Sequence, residues 1–137
     1  MKPVKKINHV AIVVKDIDAS LEFWEKSFGL KVDHIEDVSS QQAKVAFLPV
    51  GDSEIELVQP TTTDSGMAAF LEKKGEGMHH LCFEVEDIEA TLAKLKEDGV
   101  RLINEHATEL PGRKMAFIHP KAANGVLIEL YELTQKE

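Results

Sequence analysis

The sequence predicts an α+β protein made of two tandem β-α-β-β-β modules, and three observations carry that expectation. The chain repeats itself: residues 7–21 lie over residues 78–92 without a gap, pairing His9 with His80, Asp16 with Asp87 and Ile17 with Ile88. Farther on, Gly29 matches Gly99, Ala46-Phe47 matches Ala116-Phe117, and Glu54-Ile55-Glu56-Leu57 matches Leu127-Ile128-Glu129-Leu130. Two long repeats mark a duplicated module rather than a solenoid, which needs several short ones. Within each half, a β-branched apolar run precedes a helical pattern and then three short extended runs. Finally, 137 residues with 43% hydrophobic side chains suit one domain, because either half alone is near the size where a core barely offsets chain entropy. The expected organisation is a single domain over 1–137, with modules 7–59 and 78–133 joined by a linker and short helix at 60–77.

Taken in order, residues 7–14 read as a strand, and Asp16 or Asp18 offers an N-cap for a helix whose Ile17, Leu21, Trp24 and Phe28 recur at helical spacing. Gly29 ends that helix, and the Leu/Phe stripe with Trp24 is expected in the core. Strands follow at 31–38, 44–50 and 54–59, the last two joined by a turn at Gly51-Asp52-Ser53. Residues 60–65 form a linker with an N-cap candidate, and 67–74 a brief helix. The second module starts with a strand at 78–85 and a helix from Ile88 through Leu92 and Leu95 to Gly99. Short strands are expected near 100–104, 114–119 and 126–133.

Composition narrows the function. With 24 acidic and 16 basic residues, and no basic stretch with interleaved aromatics, the surface repels a phosphate backbone, so nucleic acid is not an expected partner. No long apolar span predicts membrane insertion, and no charged start followed by an apolar segment predicts export. Cys82 is the only cysteine and forms no internal disulfide; a reducing, cytoplasmic setting is the expectation.

The repeat also selects a set of ligand-type residues. His9 and His80 occupy one equivalent position, Glu56 and Glu129 another, and a pseudo-twofold relation would converge them if they face inward. Two imidazoles and two carboxylates suit Co²⁺, Mn²⁺, Ni²⁺ or Zn²⁺ and leave octahedral positions open, whereas a structural zinc site is usually closed and rich in cysteine. Any one such residue, taken singly, reads more simply as a satisfied strand histidine or a solvated glutamate. Glu129, however, lies between apolar neighbours, where an unpaired carboxylate is costly and a metal would remove the cost. His79 competes with His80, but strand alternation sends neighbours to opposite faces, and His80 is the one that fits the repeat. His34 and His106 read as surface residues, His119 as a turn residue able to contact ligand, and Cys82 as a small buried hydrophobe.

The paired modules with His9, Glu56, His80 and Glu129 resemble the vicinal oxygen chelate superfamily over essentially the whole chain. The stretches Asn8–Ile12, Gly75–Val85 with its doubled His79-His80, and Ala116–Leu130 with His119-Pro120-Lys121 are similar to the methylmalonyl-CoA epimerase family within it. That resemblance implies a cup-shaped, glyoxalase-like mixed sheet around a divalent metal, cobalt first, and a homodimer in which an acyl-CoA is the small-molecule substrate. It also implies isomerase chemistry: C2 of methylmalonyl-CoA is deprotonated and reprotonated on the other face, which needs an acid/base group on each side. Glu129 is the candidate for one. Some members carry a glutamate before the first hairpin, but Ser40–Phe47 here holds no carboxylate, so Lys44 is the candidate for the second, with Gln42 orienting a water. Arg113, Lys114 and Lys121 are candidates for the CoA phosphates, with His119 nearby. The metal set alone also fits a lyase of the glyoxalase I type acting on a glutathione hemithioacetal. A drug-sequestering binder of this fold would typically lack the quartet, and ring-cleaving dioxygenases use two His and one Glu in generally longer chains.

Overall fold

The computed structural model describes residues 4–134, which divide into two compact units: residues 9–79, and residues 4–8 with 80–134. The strands are β1 (Val4–Val13), β2 (His34–Val38), β3 (Ala43–Val50), β4 (Ser53–Pro60), β5 (Gly77–Val85), β6 (Thr108–Leu110), β7 (Arg113–Ile118) and β8 (Ile128–Leu133). The helices are α1 (Ile17–Leu21), which continues as a π-turn through Glu22–Ser27, α2 (Gly66–Lys74) and α3 (Ile88–Glu97).

Each unit repeats one strand plan. In the first, the order is β2-β3-β4-β1, and in the second β6-β7-β8-β5. The last strand of each module returns parallel to its first, Ala11 opposite Glu56 and Cys82 opposite Glu129, and antiparallel to its third, Phe47 opposite Glu56 and Phe117 opposite Glu129. The two glutamates therefore occupy the same node of the same lattice.

Helix entry is duplicated to the level of single hydrogen bonds. Asp16 accepts from the Asp18 N–H at 3.2 Å, and Asp87 from the Ala90 N–H at 3.0 Å. Such caps satisfy donors that the first helical turn leaves without intrahelical partners. The next orphan donor goes to the last strand in both units: Ile17 N–H to Gln59 Oε1 and Ile88 N–H to Glu132 Oε1, each at 2.9 Å.

Alternation along the strands gives each half-sheet a helix-covered face. In the first unit Val14, Ile17, Ala46, Leu48 and Leu57 form the core, with Leu21 and Trp24 against it; in the second, Val85, Ile88, Leu92, Ala116 and Leu130 do the same. Burying each of the larger aliphatic side chains is worth about 1.5–3 kcal/mol. The opposite faces carry the polar residues of interest.

Two expectations need correction. Phe28, placed by helical spacing in the core stripe, is 62% exposed and stacks on Phe23 at 5.5 Å. The π-turn, with Phe28 N–H bonded to Phe23 O, advances each residue less around the axis, so Phe28 does not return to the face of Leu21. The strand expected near 100–104 is only a bridge at Leu102 opposite Ile118. The partner of β7 is instead β6, three residues too short for a periodic signal.

Candidate functional site

Each unit places one imidazole beside one carboxylate on the sheet face opposite α1 or α3. In the first, His9 Nδ1 lies 3.4 Å from Glu56 Oε2. In the second, His80 Nε2 lies 3.0 Å from Glu129 Oε1. His9 is 1% and Glu129 5% exposed, so both pairs have lost most of their water, and such burial is tolerated when charge is compensated. Strand pairing explains the placement. His9 and Ala11 share a face, and Glu56 reaches it from the strand alongside; Cys82, Glu129 and Phe117 share the matching face, and the His80 and Phe117 rings meet edge to face, centroids 5.9 Å apart.

The doubled histidines part company. His80 is with Glu129, while His79 stands against the Phe70 ring of α2 at 5.0 Å. Cys82 is fully buried opposite Glu129. Each pair offers one imidazole nitrogen and one carboxylate, donor types that a borderline divalent cation accepts.

Other expected site residues are dispersed. Lys44 lies opposite Gln59 and Asp37; alternation turns it to the helix-side face with Ala46 and Leu48, the reverse of the face that carries Glu56. That placement argues against Lys44 as an acid/base beside His9 and Glu56. Gln42 ends the 3₁₀ turn Ser39–Gln41 with a left-handed φ of 53°, and its Nε2 donates to Asp64 Oδ1 at 3.4 Å.

The expected basic cluster does not form. Arg113 shares the face of Phe117 and Glu129, its guanidinium over the Tyr131 ring at 5.3 Å, a cation–π contact. Lys114 turns to the other face, between Glu109 and Glu132 in register. Lys121 belongs to the turn Pro120–Ala122 beyond the far end of β7. His119 caps that turn: its Nδ1 accepts the Lys121 N–H at 3.0 Å. Desolvation, then the Arg101 and Lys121 charges, hold its pKa below the usual 6.5.

Two carboxylates were not singled out by the sequence. Glu84 is 6% exposed and held by Lys5 Nζ at 3.4 Å and Asn8 Nδ2 at 3.3 Å; the alternation His80, Cys82, Glu84 was the signal that could have found it. Asp64 had no periodic signal, since it lies in the connection before α2. That connection also borders a cleft of about 270 Å³ lined by Pro60, Thr62, Thr63, Ala68, Leu71 and Glu72.

Known proteins place this geometry in a family. A family model described as the glyoxalase/bleomycin resistance protein/dioxygenase superfamily matches residues 8–117. The ethylmalonyl-CoA/methylmalonyl-CoA epimerase of Cereibacter sphaeroides is 36% identical over 95% of this chain and 99% of its own. A solved Bacillus halodurans protein described as hypothetical aligns with TM-score 0.90 and 40% identity over 96% of both chains. A Streptomyces coelicolor methylmalonyl-CoA epimerase variant, solved with 2-nitronate-propionyl-CoA, aligns with TM-score 0.85 and 32% identity over 97% of this chain and 100% of that one. The chain, with its glyoxalase-like α+β fold, therefore belongs to the glyoxalase/bleomycin resistance protein/dioxygenase superfamily and, within it, to the methylmalonyl-CoA epimerases.

Proposed function

We propose that this chain interconverts (2R)- and (2S)-methylmalonyl-CoA, and that His9, Glu56, His80 and Glu129 together hold one divalent ion. The observation that carries the reading is the duplication, at equivalent strand positions, of a buried histidine beside a glutamate. A carboxylate beside a buried imidazole in both modules, fully buried in the second, is costly for a purely structural protein and natural for a shared cation. Such an ion, when bound, would offset part of the charge that develops on the thioester and carboxylate oxygens of the substrate. Cobalt is the first choice, with Mn²⁺, Ni²⁺ or Zn²⁺ compatible with the same donors.

The protein's own groups do the proton work. Glu129 takes the C2 proton from one face or returns it, a role supported by its burial and its contact with His80. The nitronate held by the Streptomyces epimerase is a planar, delocalised anion, the shape of a deprotonated C2, and supports reading the substrate as an acyl-CoA. Arg113 on the Glu129 face supplies a fixed positive charge for the anionic substrate. The two units would act as one domain around the ion, in a homodimer. The single buried Cys82 supports a reducing, cytoplasmic compartment. No helix among the described residues is long and apolar enough to cross a membrane.

The test is incubation of metal-loaded protein with (2R)-methylmalonyl-CoA in D₂O. Deuterium at C2 and appearance of the (2S) epimer are expected. Absence of exchange with all four metals would overturn the assignment, and turnover of methylglyoxal with glutathione instead would transfer the site to the lyase reading.

A further inference from the structure

The second unit holds a guanidinium with no carboxylate partner on the sheet face that carries Glu129. On the reading above, we propose that the Nε–Nη2 edge of Arg113 is an oxyanion subsite, taking a carboxylate or a phosphate of the acyl-CoA.

Placement comes from register within that unit. Phe117 lies opposite Glu129, Met115 opposite Tyr131 and Arg113 opposite Leu133, all on one face. Successive rows on a face are two residues apart, roughly 7 Å along a strand. The guanidinium leans over the ring of Tyr131, 5.3 Å from its centroid, so its charge sits above the row next to that of Glu129. The acyl group and pantetheine arm of an acyl-CoA are long enough to span such rows.

The group is fixed before anything binds. Arg113 is the first residue of β7, directly after the two-residue turn Pro111-Gly112. Gly112 holds a left-handed φ of 78°, and the pyrrolidine ring restricts Pro111. The Pro111 carbonyl accepts from Arg113 Nη1 at 3.3 Å, while the Tyr131 ring supports the guanidinium plane. Much of the side-chain freedom that a ligand would otherwise have to freeze is therefore already lost in the folded protein.

The other edge has nothing to bond. Arg113 Nε is buried without a hydrogen-bond partner. Among the described residues, the polar contacts of this side chain are the Pro111 carbonyl and the Tyr131 ring. A buried donor left unmatched is costly, and more so when charged. Nε–H and the neighbouring Nη2–H point in parallel from one edge, a fork that matches two oxygens of a single carboxylate or phosphate. The two buried acids of this face have other partners: Glu84, opposite Tyr131, is held by Lys5 at 3.4 Å and Asn8 at 3.3 Å, and Glu129 is with His80 at 3.0 Å. The fold thus matches each of these acids and leaves the fork of Arg113 for an anion from outside. A diacid acyl-CoA carries both kinds, the free carboxylate of its acyl group and the phosphates of its nucleotide.

Titration calorimetry of the cobalt-loaded protein separates these sources with three ligands. They are methylmalonyl-CoA, isobutyryl-CoA, which has a methyl in place of the free carboxylate, and methylmalonyl-pantetheine, which has no phosphate. R113Q is expected to bind methylmalonyl-CoA about 10–100-fold more weakly than the unmodified chain. R113K, which keeps the charge without the planar fork, should recover only part of that loss. A loss shared by isobutyryl-CoA and absent with the pantetheine thioester assigns the subsite to a phosphate; the reverse pattern assigns it to the carboxylate. Affinities within twofold of the unmodified chain for all three ligands would overturn the subsite, and so would an equal loss for all three, which marks a structural role. Should R113Q lose its cooperative melting transition, the same comparisons on R113K decide, with full affinity for every ligand overturning the subsite. If the unmodified chain binds none of the three, the epimerase reading fails and the subsite with it.

Discussion

The two units share a strand order, a register and a helix cap, yet the faces that carry their histidines differ. In the first, Glu56 has a 16% exposed side chain and stands 3.4 Å from His9 Nδ1; in the second, Glu129 is 6% exposed and 3.0 Å from His80 Nε2. Different ring nitrogens face the two carboxylates. Asymmetry continues around them: position 84 is a buried glutamate paired with Lys5 where its repeat partner Val13 is apolar, and only the second unit carries Arg113 over Tyr131. Duplication has preserved the scaffold and the ligand types, while burial and charge have diverged. We read the first unit as holding and the second as reacting: a more buried carboxylate responds more strongly to nearby charge.

The sharpest way to break that division is to exchange each carboxylate for its amide. E129Q is expected to lower epimerisation by about 10²–10⁴-fold even when saturated with metal, since it removes a proton-transferring group. E56Q should chiefly weaken metal binding and recover activity as metal is added. Equal, metal-reversible losses in both would make the two glutamates interchangeable ligands.

A second comparison concerns the scaffold, where the units should behave alike. Leu57→Ala and Leu92→Ala truncate side chains that are 0% and 1% exposed, and each should cost about 2–5 kcal/mol in chemical denaturation. A cost below about 1 kcal/mol in one unit only would show that its core is not formed as described. The caps are a smaller version of that test: Asp16→Ala and Asp87→Ala should each lower stability by about 0.5–2 kcal/mol. The Asp87 change should be the larger, because it caps the ten-residue α3 whereas Asp16 caps a five-residue helix that widens into the π-turn.

How much of this was legible in the sequence follows from where periodicity survives. The repeat of His9 and His80, and of Glu56 and Glu129, located both His–carboxylate pairs because strand alternation is strict over these segments. Helix entries were legible for the same reason, as Asp16 and Asp87 precede apolar positions at fixed offsets. Phe28 was misplaced because a π-turn has no compositional mark, and β6 because three residues carry no period. Lys44 illustrates a different failure: the residue was noticed for its charge, but its face depends on register, which only pairing with Gln59 reveals. The Gln42–Asp64 contact was invisible because it joins residues 22 apart in sequence.

The smallest expected effect is in the second unit alone. The His119 ring accepts a backbone N–H at Nδ1, which requires the neutral form, and its pKa is lowered by desolvation, Arg101 and Lys121. NMR titration should therefore give a midpoint below 6.5. The turn should be fully capped above that pH and lose the contribution as pH falls through the lowered folded-state value. A midpoint above 6.5 would contradict that cap geometry.

The central claim is that one half-site from each unit serves a single ion, and the direct measurement is metal stoichiometry by calorimetry with elemental analysis of the dialysed protein. One equivalent of Co²⁺ per chain is expected, lost in His9→Ala and equally in His80→Ala, and retained in His79→Ala. Two equivalents per chain, each abolished by only one of the two histidine changes, would contradict it.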